Sequence, residues 1–149
     1  MLFRSALAVR ENADLFLSIH VNASEDTRAR GIETYYLNFA PNPAAEAIAA
    51  RENAASERTM GQLGDIIKAI ALTNKVDESR DFAAFIQSAL VDRLAKSRAV
   101  KNLGVKQAPF MVLVGATMPS ALAEISFLTN DDDAAALDRK STRLNSSHT

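Results

Sequence analysis

The chain has no cysteine, which excludes disulfide staples and thiolate metal sites and leaves histidine and carboxylates as the donors for any bound metal. That absence leaves the compartment open, because many exported bacterial proteins also lack cysteine. A long basic block is missing too, and the formal net charge is -1, which argues against nucleic acid as a partner. No apolar run approaches the roughly 20 residues that span a bilayer. The N-terminus, Met-Leu-Phe-Arg-Ser-Ala-Leu-Ala-Val-Arg, lacks the charged region, uninterrupted apolar core and cleavage site of a signal peptide. There are no internal repeats. With 149 residues, 48% apolar and 23% charged, the composition describes one soluble, globular domain with a sizeable core.

Against these absences, one polar residue stands out. Glu124 lies inside the apolar run Ser120-Ala-Leu-Ala-Glu-Ile-Ser-Phe-Leu128. Desolvating a carboxylate there is costly, and burial raises its pKa toward the range where a general acid or base works. The structural alternative is a salt bridge to a neighbouring cation such as Lys106. His20 is a second outlier, in Asp14-Leu-Phe-Leu-Ser-Ile-His-Val-Asn-Ala-Ser24, at the C-terminal end of an expected strand, where ligand sites gather in open α/β sheets. Its alternative is a satisfied core histidine. Asn22 and Ser24 follow on the same side, and Asn22 is a candidate substrate-binding residue. Glu33 and Asp14 read as edge or loop carboxylates. Asp131-Asp-Asp133 reads as charge complementing a helix N-terminus.

The patterning predicts a helix over residues 1–12, with Leu2, Leu7 and Val9 near one face. A domain beginning inside a helix implies an upstream segment. Residues 14–21 alternate as a strand with both faces covered, and residues 31–38 form a second strand rich in β-formers. A long helical region over 44–72 follows, weakly amphipathic in its first half and breaking near Gly61 and Gly64. Residues 79–97 form a helix with Phe82, Phe85, Ile86, Ala89, Leu90 and Leu94 as its apolar stripe. Next come a loop with Gly104, a strand at 110–114, the strand bearing Glu124, and a short helix over 131–137. Residues 139–149 have no periodicity and read as an unstructured or non-native tail, which discounts His148 as a ligand. Strands alternating with long helices imply an α/β fold with a mostly parallel sheet flanked by helices.

The segments Ala13-Asp-Leu-Phe-Leu-Ser-Ile-His-Val-Asn-Ala-Ser24, Gly31-Ile-Glu-Thr-Tyr-Tyr36 and Met118-Pro-Ser-Ala-Leu-Ala-Glu-Ile-Ser-Phe-Leu-Thr-Asn130 together resemble the zinc-dependent N-acetylmuramoyl-L-alanine amidases of bacterial cell-wall remodelling. The likeness runs in order from about residue 5 to 137. It implies hydrolysis of the amide between the lactyl group of N-acetylmuramic acid and L-alanine, with His20 a zinc ligand and Glu124 the catalytic base. Family members carry two further zinc ligands, a His and a Glu, upstream of the region matched here. The resemblance therefore implies the C-terminal part of an amidase domain, residues 1–138, with the first strands of the sheet missing, poor zinc binding and little activity. It also implies that residues 44–58 correspond to a helix that plugs the active site in some members acting at division sites. Glu52 and Glu46 are the candidate autoinhibitory carboxylates.

The expected cofactor is Zn2+ in the complete domain. The expected partners are peptidoglycan and an activator protein, and the full-length protein is expected in the periplasm or outside the cell. Two other classes stay open. One is a non-catalytic wall-binding or interaction module, which has no need of both His20 and Glu124. The other is a metal-free α/β enzyme using the pair as acid and base. Every enzymatic reading demands that His20 and Glu124 converge.

Overall fold

Alternation of apolar and polar residues puts Ser18, His20 and Asn22 on one side of a strand and Leu17, Ile19 and Val21 on the other. A computed structural model, which describes residues 4–39, 43–55 and 75–145, shows what each side meets. Four strands form one sheet in the order β1-β4-β2-β3: β1 (Phe16–Asn22), β2 (Ile32–Leu37), β3 (Asn102–Ala108) and β4 (Ser120–Phe127). β1 runs parallel to β4 and β2 parallel to β3, whereas β2 and β4 are antiparallel. The sheet is thus mixed but mostly parallel. Around it lie α1 (Arg4–Arg10), α2 (Pro43–Ala55), α3 (Val76–Ala95) and α4 (Asp131–Asn145).

The two faces are covered by different chemistry. On one face α2 lays the small residues Ala45 and Ala49, one helical turn apart, onto Tyr35, Leu37, Ala108, Phe110, Leu113 and Leu122. Tyr35 and Phe110 meet edge-to-face with centroids 5.0 Å apart, a favourable aromatic geometry. Asn53 anchors the end of α2, donating to the Pro109 carbonyl (3.0 Å) and accepting the Met111 N–H (2.8 Å). On the opposite face α3 packs across β2, β4 and β3. Its innermost residues are Ser79, Ala83 and Gln87, spaced four apart, and Phe85 of the expected apolar stripe is exposed. Gln87 replaces hydrophobic contact with hydrogen bonds: it accepts from the Thr34 hydroxyl (2.7 Å) and donates to the Ile32 carbonyl (2.9 Å).

Several expectations are corrected by the architecture. β1 is an edge strand covered on one face: because α3 sits over the other three strands, Leu17, Ile19 and Val21 remain exposed, Ile19 by 63%. The strand expected at residues 110–114 is a 3-10 turn at Met111–Leu113, and the pairing strand is β3 before it. Pro109 ends that strand by withholding a backbone donor, while partnership with β2 overrides the glycine and polar content of Asn102-Leu-Gly-Val-Lys-Gln-Ala108. Part of the expected unstructured tail is helical, since α4 continues to Asn145. Asn130 caps that helix by accepting the Asp133 N–H (3.2 Å). Asp133 is a buried staple as well as a helix-terminal charge: it accepts the Phe127 and Gly31 N–H groups and pairs with Arg98 at 2.8 Å. Gly31 is required at the entry to β2, with φ +121° and a Cβ position only 2.3 Å from the Lys101 carbonyl oxygen. The break expected near Gly61 and Gly64, Leu2 and His148 lie outside the described residues.

Candidate active site

Register brings the functional side chains together. His20 on β1 pairs with Glu124 on β4, and Glu124 pairs on its other side with Glu33 on β2. Paired residues share a face, so the three line up in a row across three strands, beneath α2. His20 and Glu124 converge, as every enzymatic reading demands. One His20 ring nitrogen, Nδ1, lies 2.7 Å from Glu52 Oε2 of α2, and the other, Nε2, lies 2.9 Å from Ser18 Oγ. A carboxylate can only accept, so the proton belongs on Nδ1, and the Nε2 lone pair takes the serine hydroxyl or a metal ion.

Glu124 is fully buried, and neither carboxylate oxygen has a hydrogen-bond partner among the described residues. Burial pushes its pKa up to about 8. The negative charges of Glu52 and Glu33 add to the rise, against a smaller opposing effect of Arg51. The salt bridge to Lys106 is not made; Lys106 pairs with Glu33 instead. Glu33, expected at an edge or in a loop, is 1% exposed in a sheet interior. The signal was present in Gly31-Ile-Glu-Thr-Tyr-Tyr36, which shows the same oddity of a carboxylate in a β-forming run. Asn22, the candidate substrate-binding residue, is 2% exposed, and its amide donates to Glu33 Oε1 at 2.8 Å. Its Nδ2 is therefore committed to Glu33, and its Oδ1 accepts the Ala23 N–H at 2.8 Å. Of the two candidate α2 carboxylates, Glu52 reaches the site and Glu46 does not. Glu46 is exposed in the first turn of the helix, about 9 Å along the axis from Glu52 at 1.5 Å per residue.

Ligand atoms of His20, Glu52 and Glu124 all lie within 4.8 Å of one another. The orphaned oxygens of Glu124 supply the second observation that points to a cation: a buried carboxylate without partners is expensive, and a divalent ion would relieve it. One imidazole and two carboxylates suit zinc by chemistry. The set is a candidate metal centre.

The model of the N-acetylmuramoyl-L-alanine amidase family matches residues 3–147. The chain belongs to that family. It is 32% identical over 134 residues to the uncharacterized protein YqiI of Bacillus subtilis, covering 90% of this chain and 46% of the relative. It is 31% identical over 130 residues to the amidase LytC of the same organism, covering 87% and 18%. To the amidase AmiA of Escherichia coli it is 25% identical, covering 90% and 48%. This amidase-family chain thus spans about half the length, or less, of the curated relatives it matches. Among solved structures, an N-acetylmuramoyl-L-alanine amidase from Clostridium difficile 630 superposes with TM-score 0.54 at 23% identity, covering 89% of this chain and 50% of that one. The CwlD amidase of Clostridioides difficile, solved in complex with the GerS lipoprotein, superposes with TM-score 0.56 at 20% identity, covering 91% and 49%. These two likenesses show the shared fold.

Proposed function

We propose that this chain serves zinc-dependent hydrolysis of the amide between N-acetylmuramic acid and L-alanine in peptidoglycan, outside the cytoplasm. The observation that carries the reading is the buried Glu124 carboxyl, without a hydrogen-bond partner among the described residues and opposite His20 in register. Zinc, when bound, supplies Lewis-acid polarisation of the scissile carbonyl. His20 would hold it, and Glu52 would reach it only while α2 is seated. Glu124 takes a proton from the attacking water and returns it to the leaving amine; a pKa near 8 populates both forms near neutral pH. If Glu124 serves as the base, two protein donors remain, fewer than the three of ordinary catalytic zinc sites. Weak zinc affinity and low turnover follow for the chain as it stands.

The test is release of L-alanine amino groups from purified peptidoglycan at saturating zinc, with a chelator control. Slow, chelator-sensitive release that disappears in Glu124→Gln is expected. Binding to peptidoglycan without any zinc-dependent release would replace this reading with that of a wall-binding module.

A second reading concerns Glu52. Its 2.7 Å contact with His20, and the bond from Arg51 to the Ala23 carbonyl, tie α2 across the mouth of the site. We infer that this arrangement restrains basal activity and that a partner at the cell surface, in the setting of daughter-cell separation, lifts α2. An amidase of the same fold solved with a lipoprotein supports the existence of such partners. Glu52→Gln should raise turnover at saturating zinc; unchanged turnover would remove the restraint from the account.

A further inference from the structure

The hydrogen bonds around Glu33 span the whole sheet. Asn22 lies on β1 and Glu33 on β2, yet β4 runs between those strands. The 2.8 Å bond from Asn22 Nδ2 to Glu33 Oε1 therefore passes over β4 on the site face. A register slip in the β1–β4 pairing between His20 and Asn22 accompanies this reach. The second oxygen, Oε2, accepts from Lys106 Nζ on β3. One carboxylate thus links side chains from both edge strands, and it lies beside Glu124, its direct partner in register.

This strap is built asymmetrically about Glu124. Toward β1 stands His20, with a ring nitrogen able to serve a metal or a proton. Toward β2 stands Glu33, which offers Glu124 only another carboxylate, both of whose oxygens already accept bonds. Once Glu124 is ionised, as a base must be, acceptors cannot bond to acceptors, and the two carboxylates repel. The Tyr35 hydroxyl on the same face is buried, with no well-formed hydrogen bond among the described residues; burial, then the nearby Glu33 carboxylate, hold its proton firmly.

We propose that Glu33, strapped over β4 by Asn22 and Lys106, is a positioning residue for the hydrolysis assigned above: it closes the β2 side of Glu124 and keeps that carboxyl turned toward His20. The Glu33 carboxylate touches neither metal nor substrate. It works by offering the ionised Glu124 no hydrogen-bond donor from the position directly opposite it on β2. Misplacing a reacting group by about 1 Å can cost on the order of a hundredfold in rate, so the effect belongs in kcat.

Glu33→Gln tests this directly, because it puts an amide donor where Glu124 can accept it. The expected result is a Glu124 carboxyl turned toward residue 33 in a crystal structure of the variant. On a soluble muramoyl peptide at saturating zinc, kcat should fall by about tenfold or more with KM within about twofold. Glu33→Asp keeps the charge and should keep kcat within about threefold. Unchanged kcat in Glu33→Gln, or a Glu124 carboxyl that stays beside His20, would overturn the proposal. So would equal losses in both variants accompanied by a lowered melting temperature, since that is the mark of a structural role. If the parent chain shows no turnover at all, the hydrolase reading fails by itself, and the crystallographic arm still decides the placement of Glu124.

Discussion

Two carboxylates sit opposite each other on β2 and β4, and the protein treats them in opposite ways. Around Glu33 every acceptor is used: Asn22 and Lys106 take its two oxygens. Around Glu124 none is used among the described residues, and the negative neighbours are Glu52 and Glu33. The residues are chemically identical and nearly equally buried, so the difference lies in their neighbours. A satisfied buried carboxylate contributes to structure. An orphaned one costs stability and is retained where its reactivity is useful. The contrast teaches which of the two to regard as the chemical group and which as its support.

The largest way to break the contrast is to remove the orphan. Glu124→Gln keeps the shape but cannot accept a proton, and amide release from peptidoglycan at saturating zinc should drop by about 10²–10⁴-fold. The same variant should gain stability, and the gain should depend on pH. The folded value near 8 lies above the ordinary 4.5, so between those limits the folded chain holds a proton that the unfolded chain has released. Stability of the parent therefore falls as pH rises from about 4.5 to 8, by a few kcal/mol at order of magnitude. Urea unfolding at pH 5 and pH 8.5 should show this decline, and Glu124→Gln should lack it. A decline of equal size in the variant would mean that Glu124 is not the group responsible.

The next effect sharpens the other side of the comparison. Lys106→Met leaves Glu33 buried with Asn22 alone and should cost roughly 1–3 kcal/mol, below the 3–5 of a fully buried pair because the ammonium is partly exposed. Loss of less than about 0.5 kcal/mol in chemical denaturation would show that the pair is held no more tightly than a surface ion pair. The smallest effect falls far from both carboxylates: Asn130→Ala removes the cap of α4 and should cost about 1 kcal/mol without changing the pH dependence assigned to Glu124.

Much of this site was legible in the amino-acid order. Glu124 is conspicuous because an apolar strand states its desolvation cost locally, and His20 is conspicuous because alternation puts it on one face with Ser18 and Asn22. Glu33 was as visible by the same logic, in Ile32-Glu-Thr-Tyr35, but a strand read alone does not say whether it lies at an edge or in the middle. β3 was missed because its residues are polar and include Gly104; its place is secured by pairing with β2, and its pattern carries little signal. The inner face of α3 was misread for a related reason. Gln87 serves the core through hydrogen bonds, which hydrophobic periodicity does not register.

By itself, then, the sequence determined the alternation of strands and helices, the family, and the two residues whose burial had to be explained, because periodicity and desolvation are properties of local order. Only the tertiary structure decided that Lys106 answers Glu33 and not Glu124, that Glu52 and not Glu46 reaches His20, and that Asn22 supports a carboxylate. Those choices depend on the strand order β1-β4-β2-β3 and on the seating of α2. Both are set by long-range packing, which brings together side chains that no local pattern connects.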